Sequence, residues 1–221
     1  MKEHGVIFDM DGVLIESTEA HYESWALLAA EIGTPWPRDL FDSTFGMHNR
    51  QIIPLWLGEE TDAAEIDRCS NRKEAFFREV IKKTPDAVKA LPGACELVRE
   101  LHGAGVALAI GSSAPSLNVN LILDLLEVRE LFQAFSTGDR VRHGKPHPEV
   151  FLTAISELGL KASNCVVIED APQGVEAALA AGAGAIAVTT TRKAEEFSHA
   201  HLVVDSLTEL NALRIQNLVA N

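Results

Sequence analysis

The stretch Gly5-Val6-Ile7-Phe8-Asp9-Met10-Asp11-Gly12-Val13-Leu14 decides how the chain is read. Val6, Ile7, Phe8 and Met10 form an apolar run broken only by Asp9, the pattern of a parallel strand buried on both faces with a carboxylate at its C-terminal end. Side chains alternate along a strand, so Asp9 and Asp11 fall on one side while Met10 turns into the core. Two like charges about 4 Å apart repel by about 4 kcal/mol at an effective dielectric of about 20. Such a pair implies a cation, a shared proton or both. Gly12 then permits a sharp turn. Asp-x-Asp-Gly by itself equally describes a solvated strand end or a helix cap, so the rest of the chain has to decide.

The chain has 221 residues, 47% of them apolar, enough for a large core in one or two domains. No apolar run is long enough to span a bilayer and the N-terminus enters its strand at once, so a cytoplasmic protein without membrane contact is expected. Its 32 acidic residues against 19 basic ones give a net charge of −13, which disfavours nucleic acid and anionic membranes as partners. An anionic substrate would therefore need a local basic patch. Cys69, Cys95 and Cys165 are widely spaced and odd in number, which argues against a disulfide framework or a zinc site and for buried thiols.

After Ser17 the spacing becomes helical through Tyr22, Trp25, Leu28, Ala29 and Ile32, with Gly33 placed to end the helix. Up to about Lys89 only helical stretches follow, around 49–57 and 62–83, separated by Pro35, Pro37, Gly46 and Gly58. Residues 18–89 are thus expected to be a helical insertion, with 1–17 and 90–221 forming the core. The insertion carries Arg50, Arg68, Arg72, Lys73, Arg78, Lys82 and Lys83, either a solvated helix face or the basic patch just required.

Beyond Leu91-Pro92-Gly93 helices alternate with short apolar strands at 106–110, 132–136, 165–168, 185–188 and 202–204. That alternation predicts an α/β fold with a doubly wound, Rossmann-like parallel sheet covered on both faces. Ligands of such folds gather at the C-terminal ends of the strands. The rule selects Asp9, Asp11, Ser112, Ser113, Glu169 and Asp170.

Glu169-Asp170 ends the strand that starts at Cys165, so four carboxylates meet if that strand neighbours the first. A hard divalent cation with oxygen ligands is the natural counter-charge, and Mg²⁺ suits one or two carboxylates with waters and a phosphate oxygen. Gly111-Ser112-Ser113 lies between a strand and a helix, where hydroxyls and backbone N–H groups can hold an anion, although a serine there is often only a cap. Lys145-Pro146-His147-Pro148 presents Lys145 on a loop stiffened by two prolines. A fixed cation beside acids suits phosphate.

These motifs, Phe8-Asp9-Met10-Asp11-Gly12, Gly111-Ser112-Ser113, Lys145-Pro146-His147-Pro148 and Ile168-Glu169-Asp170-Ala171-Pro172-Gln173-Gly174, resemble in order those of the haloacid dehalogenase-like superfamily. The helical insertion is similar to the cap of the subgroup that contains β-phosphoglucomutase and related sugar-phosphate phosphatases. The resemblance implies that Asp9 is the nucleophile and forms an aspartyl phosphate, while Asp11 is the general acid and base. It also implies that Asp9, Asp11 through its carbonyl, Glu169 and Asp170 surround Mg²⁺, and that Ser112, Ser113 and Lys145 bind the phosphoryl group. His21, Arg50 and Lys73 match cap-side substrate contacts of that subgroup. The expected activity is a Mg²⁺-dependent phosphatase acting on a small phosphorylated metabolite, a sugar phosphate first, in a monomeric protein. A phosphosugar mutase shares every residue named, and a catalytically silent binding protein or receiver-like domain is the reading from another class. Glu16 and Ala171 depart from the family pattern, the first at the cap hinge, the second removing a hydroxyl beside the metal ligands.

Three competing signals fail. The run from Gly138 to Lys145 has the wrong glycine spacing for a nucleotide loop and Pro146 in place of Ser or Thr, and Gly182-Ala183-Gly184 follows a helix where a dinucleotide motif needs a strand. His143 and His147 are expected to stay apart as metal ligands, because Gly144 and Pro146 preclude a helix there.

Overall fold

A computed structural model describes residues 3–219 of the chain. In chain order its elements are β1 (Gly5–Phe8), β2 (Ile15–Glu16), α1 (Thr18–Ile32), α2 (Arg38–Thr44), α3 (Asn49–Leu57), α4 (Ala63–Lys83), β3 (Lys89–Ala90), α5 (Ala94–Gly103), β4 (Ala107–Gly111), α6 (Ser116–Leu125), β5 (Ala134–Ser136), α7 (Glu149–Leu158), β6 (Cys165–Glu169), α8 (Pro172–Ala180), β7 (Gly184–Val188), β8 (Leu202–Val204) and α9 (Ala212–Val219). The chain divides into two compact units, one running up to Glu16 and resuming at Ala90, the other Ser17–Lys89.

The first unit is built on a six-stranded parallel sheet in the order β5-β4-β1-β6-β7-β8. This is the doubly wound α/β architecture expected from the alternation of apolar strands and helices. Strand order reverses beside β1, which pairs with β4 on one side and β6 on the other. That reversal opens the crevice in which such sheets bind ligands. Alternate strand positions, Ile7, Ala109, Val167, Ala185 and Ala187, join one core with Phe151 and Ala154 of α7 and Val175, Ala177 and Ala178 of α8. The alanines matter because a small strand residue lets a covering helix approach closely. On other elements α5 packs on β4 and α9 on β6.

In the second unit α4 packs against α1 and α3. Its core is aromatic: Trp25 and Trp36 stack at 4.6 Å, and Trp56 meets both edge-on at 5.9 and 5.0 Å. Gly33 ends α1 in the left-handed conformation, φ 73°, as its position suggested. Two helices had no sequence signal. α2 spans only two turns and buries only Phe41 and Thr44, too little to establish a period, and α9 follows the last strand, where no helix was expected.

Candidate active site

The register of the sheet builds the site. Phe8 of β1 lies opposite Ile168 of β6, so Asp9 and Glu169, the next residue of each strand, emerge side by side. Asp9 N–H donates to Ile168 C=O at 3.0 Å, which carries the pairing one residue past β1. Met10 is fully buried, and Asp11 is half-buried beyond it. Carboxylate oxygens of Asp9, Glu169 and Asp170 all lie within 4.8 Å of one another. Gly12 has φ 76°, and a β-carbon there would stand 2.1 Å from Asp170 Oδ2. Glycine is required both for the turn and for the close approach of Asp170.

Lys145 enters this acidic cluster from the loop before α7. Its Nζ lies 2.5 Å from Glu169 Oε1 and 3.0 Å from Asp9 Oδ1, and its side chain is 4% exposed. The contact with Asp9 is close in distance but off the hydrogen-bonding direction, so Asp9 Oδ1 is a buried oxygen without an aligned donor. Glu169 Oε2 accepts the N–H groups of Asp170 and Ala171 at 3.0 and 3.2 Å, just ahead of α8. Ser112 is buried, and its hydroxyl accepts from Ala114 N–H at 3.1 Å, which leaves its proton as a donor. Ser113 is half-buried next to it.

Electrostatics follow from burial and crowding. Burial, joined by the negative charges of Glu169 and Asp11, raises Asp9 from 3.8 to about 7 against the opposing pull of Lys145. Burial likewise pushes Asp170 well above the usual carboxylate range, with Glu169 and Asp9 adding to it. Burial works against the charge of Lys145 too, but Asp9 and Glu169 outweigh it and hold the ammonium above its ordinary 10.5. The lysine therefore stays cationic while two of its acid neighbours are reluctant to ionise.

Within the helical unit, Lys73 and His21 are brought together and Arg50 is not. Lys73 Nζ lies 2.7 Å from His21 Nδ1 and 2.9 Å from Glu74 Oε1, and His21 stacks on Phe77 at 4.0 Å. Asn49 donates to the same Glu74 oxygen at 2.7 Å. Arg50 pairs with Asp67 at 2.6 Å, both exposed. Part of the basic set is neutralised: Arg68 pairs with Glu65 and Arg72 with Glu31.

Sequence reasoning passed over Thr191 and Glu74. Thr191 Oγ1 donates to Asp170 Oδ2 at 2.5 Å, and Thr190 donates to Gly12 C=O. Their signal was available, because Thr189-Thr190-Thr191 follows β7 and so stands at a strand's C-terminal end. Glu74 had none, since neighbours along a helix do not ordinarily face one another. The expectation for His143 and His147 is corrected: they meet without a helix, ring centroids 4.5 Å apart, and form a possible ligand group with Glu149. The loop folds back because Glu149 accepts the N–H groups of Arg142 and His143, each at 3.0 Å. The three cysteines are free thiols.

The fold and site define an α/β protein with a doubly wound sheet and a buried lysine among carboxylates at its switch point. Comparison with known proteins narrows this. The haloacid dehalogenase-like hydrolase profile matches residues 4–182, and the chain belongs to that family. It is 32% identical over 178 residues to the phosphorylated carbohydrates phosphatase of Thermotoga maritima, covering 80% of this chain and 81% of that protein. It is 33% identical over 189 residues to β-phosphoglucomutase of Bacillus subtilis, covering 83% and 82% respectively. The crystal structure of β-phosphoglucomutase from Clostridium difficile superposes with a TM-score of 0.86 at 26% identity, over 99% of this chain and 97% of that one. Among the described residues no helix is long and apolar enough to cross a membrane.

Proposed function

We propose that the protein hydrolyses the phosphate monoester of a small metabolite, a sugar phosphate first among them, through an aspartyl phosphate on Asp9. The observation that carries this reading is the placement of Lys145 Nζ 3.0 Å from Asp9 and 2.5 Å from Glu169, at the ends of two adjacent parallel strands. A phosphoryl group has three equatorial oxygens that need positive partners in flight, and here a buried amine held in its charged form stands beside Asp9, which also feels the charge of Asp11.

Asp9 Oδ attacks phosphorus, forming the O–P bond as the ester P–O bond breaks, and Asp11 gives its proton to the departing oxygen. Asp11, now a base, then takes a proton from water as that water attacks phosphorus and returns Asp9 to a carboxylate. Lys145 and Ser112, with Ser113 alongside, hold the phosphoryl oxygens. The residues also fit Mg²⁺: three crowded carboxylates, one oxygen of Asp9 lacking an aligned donor, and two acids pushed upward by burial and then by neighbouring negative charge are a donor set short of positive charge. Asp9, Asp170 and the carbonyl of Asp11 would hold the ion, with Glu169 beside them also anchoring Lys145. When bound it supplies the charge that lets Asp9 ionise and face a phosphate dianion. On this reading the Ser17–Lys89 unit selects the ester, with His21, Arg50 and Lys73 as the residues to test.

The decisive experiment is Asp9→Asn assayed on an aryl phosphate with and without EDTA. Turnover should fall by at least about a thousandfold with the fold intact, since residues that act as the nucleophile carry effects of that order or more. Undiminished hydrolysis in that variant overturns the reading. A mutase is the second reading, favoured by the likeness to β-phosphoglucomutases in sequence and structure. Efficient conversion of β-glucose 1-phosphate to glucose 6-phosphate with little free phosphate would put it first.

A further inference from the structure

Outside the acidic pocket the described residues contain one other cluster able to hold a metal ion: His143, His147 and Glu149, in and just after the loop that carries Lys145. We infer that these three side chains bind a divalent transition cation of the zinc type, in a site that shares no residue with the acidic pocket.

The geometry argues for it. His143 Nδ1 lies 2.8 Å from Glu149 Oε2, His147 Nδ1 lies 3.9 Å from the same oxygen, and the ligand atoms of all three fit within 4.8 Å. Ligands about 2.0 Å from a tetrahedral zinc are separated from one another by about 3.3 Å. The two separations to Glu149 bracket that value, so small rotations of exposed side chains complete the set. Glu149 is held in place: its two oxygens accept the N–H groups of Arg142 and His143, which keep its pKa down at about 2, and the His143 ring reinforces them. His147 Nδ1 accepts Glu149 N–H at 3.3 Å, a long hydrogen bond that ligation through this nitrogen would replace, since it has one lone pair. The backbone thus positions the carboxylate before any ion arrives.

The donor set also chooses the ion. Two imidazole nitrogens and one carboxylate oxygen suit zinc and its softer neighbours, while Mg²⁺ prefers oxygen throughout. Three protein ligands leave a fourth position for water. The local device without metal would be a carboxylate that caps a loop and a histidine that hydrogen-bonds to it; that arrangement does not require the His147 ring to come within 4.5 Å of the His143 ring.

The test is calorimetric titration of the full chain with Zn²⁺ in the presence of excess Mg²⁺, which keeps the acidic pocket occupied. One Zn²⁺ per chain should bind, weakened at least about tenfold in His143→Gln and in His147→Gln and lost in the double variant. NMR of the wild type should show the ring protons of His143 and His147 shifting with added Zn²⁺, and circular dichroism of the variants should match the wild type. Absence of Zn²⁺ binding, or binding that the double variant retains in full, overturns the inference. Stoichiometric binding without movement of those two ring signals overturns it equally, because the ion would then sit elsewhere.

Discussion

Lys145 and Glu169 meet at 2.5 Å in a site where both side chains are almost wholly buried, and Gly174 makes the meeting possible. A β-carbon at Gly174 would stand 2.0 Å from the Glu169 carboxyl carbon. Gly174→Ala should push Glu169 off Lys145, cost about 1–3 kcal/mol of stability as other overpacked substitutions do, and reduce activity sharply. Urea unfolding together with an aryl phosphate assay checks both effects; an alanine that leaves stability unchanged would show that Glu169 has room to move.

Lys145 pairs with two of the pocket's carboxylates, so Lys145→Met should leave three acids facing one another. Breaking a buried pair costs about 3–5 kcal/mol. Here the loss should be smaller in mild acid, because Asp9 then holds a proton and needs less compensation. Unfolding curves at acidic and neutral pH test the difference, and hydrolysis should be nearly abolished at either pH.

Asp9 gives stability a defined pH dependence in protein stripped of divalent ions. Its native value near 7 exceeds the ordinary 3.8, so the folded state holds a proton that the unfolded chain has already released. The contribution is complete below the unfolded value and is lost as pH rises through about 7, with Lys145, Glu169, Asp170 and Asp11 as the charges facing it. Measured in EDTA, the unfolding free energy of the wild type relative to Asp9→Asn should fall by up to about 4 kcal/mol between about pH 4 and about pH 8. A difference that stays flat across that range would mean that Asp9 ionises normally.

Thr191 offers a replacement for the hydroxyl absent at Ala171, since its Oγ1 reaches Asp170 Oδ2 at 2.5 Å and favours the ionised carboxylate. Thr191→Val should weaken Mg²⁺ binding about tenfold, in line with the loss of other groups that orient a ligand. Titration of Mg²⁺ by calorimetry is the direct measurement. Serine at the same position should restore most of the affinity.

Much of this protein was legible in its sequence because the information is local. Alternation of apolar strands with helical spacing announced the parallel sheet, and the carboxylates of Asp9 and Glu169-Asp170 stood out because a charge closing an apolar strand needs a reason. Gly12 and Gly33 announced turns that only a residue without a β-carbon takes easily. Tertiary structure decided what no local pattern encodes. It ordered the strands so that β6, far along the chain, lies beside β1 and sets Asp170 against Gly12. It paired Arg68 with Glu65 and Arg72 with Glu31, buried Lys73 between His21 and Glu74, and folded a loop so that His143 and His147 touch without a helix. Periodicity reports which face of an element is apolar, whereas the partner of a charge depends on long-range packing, and that is set only when the whole chain is folded.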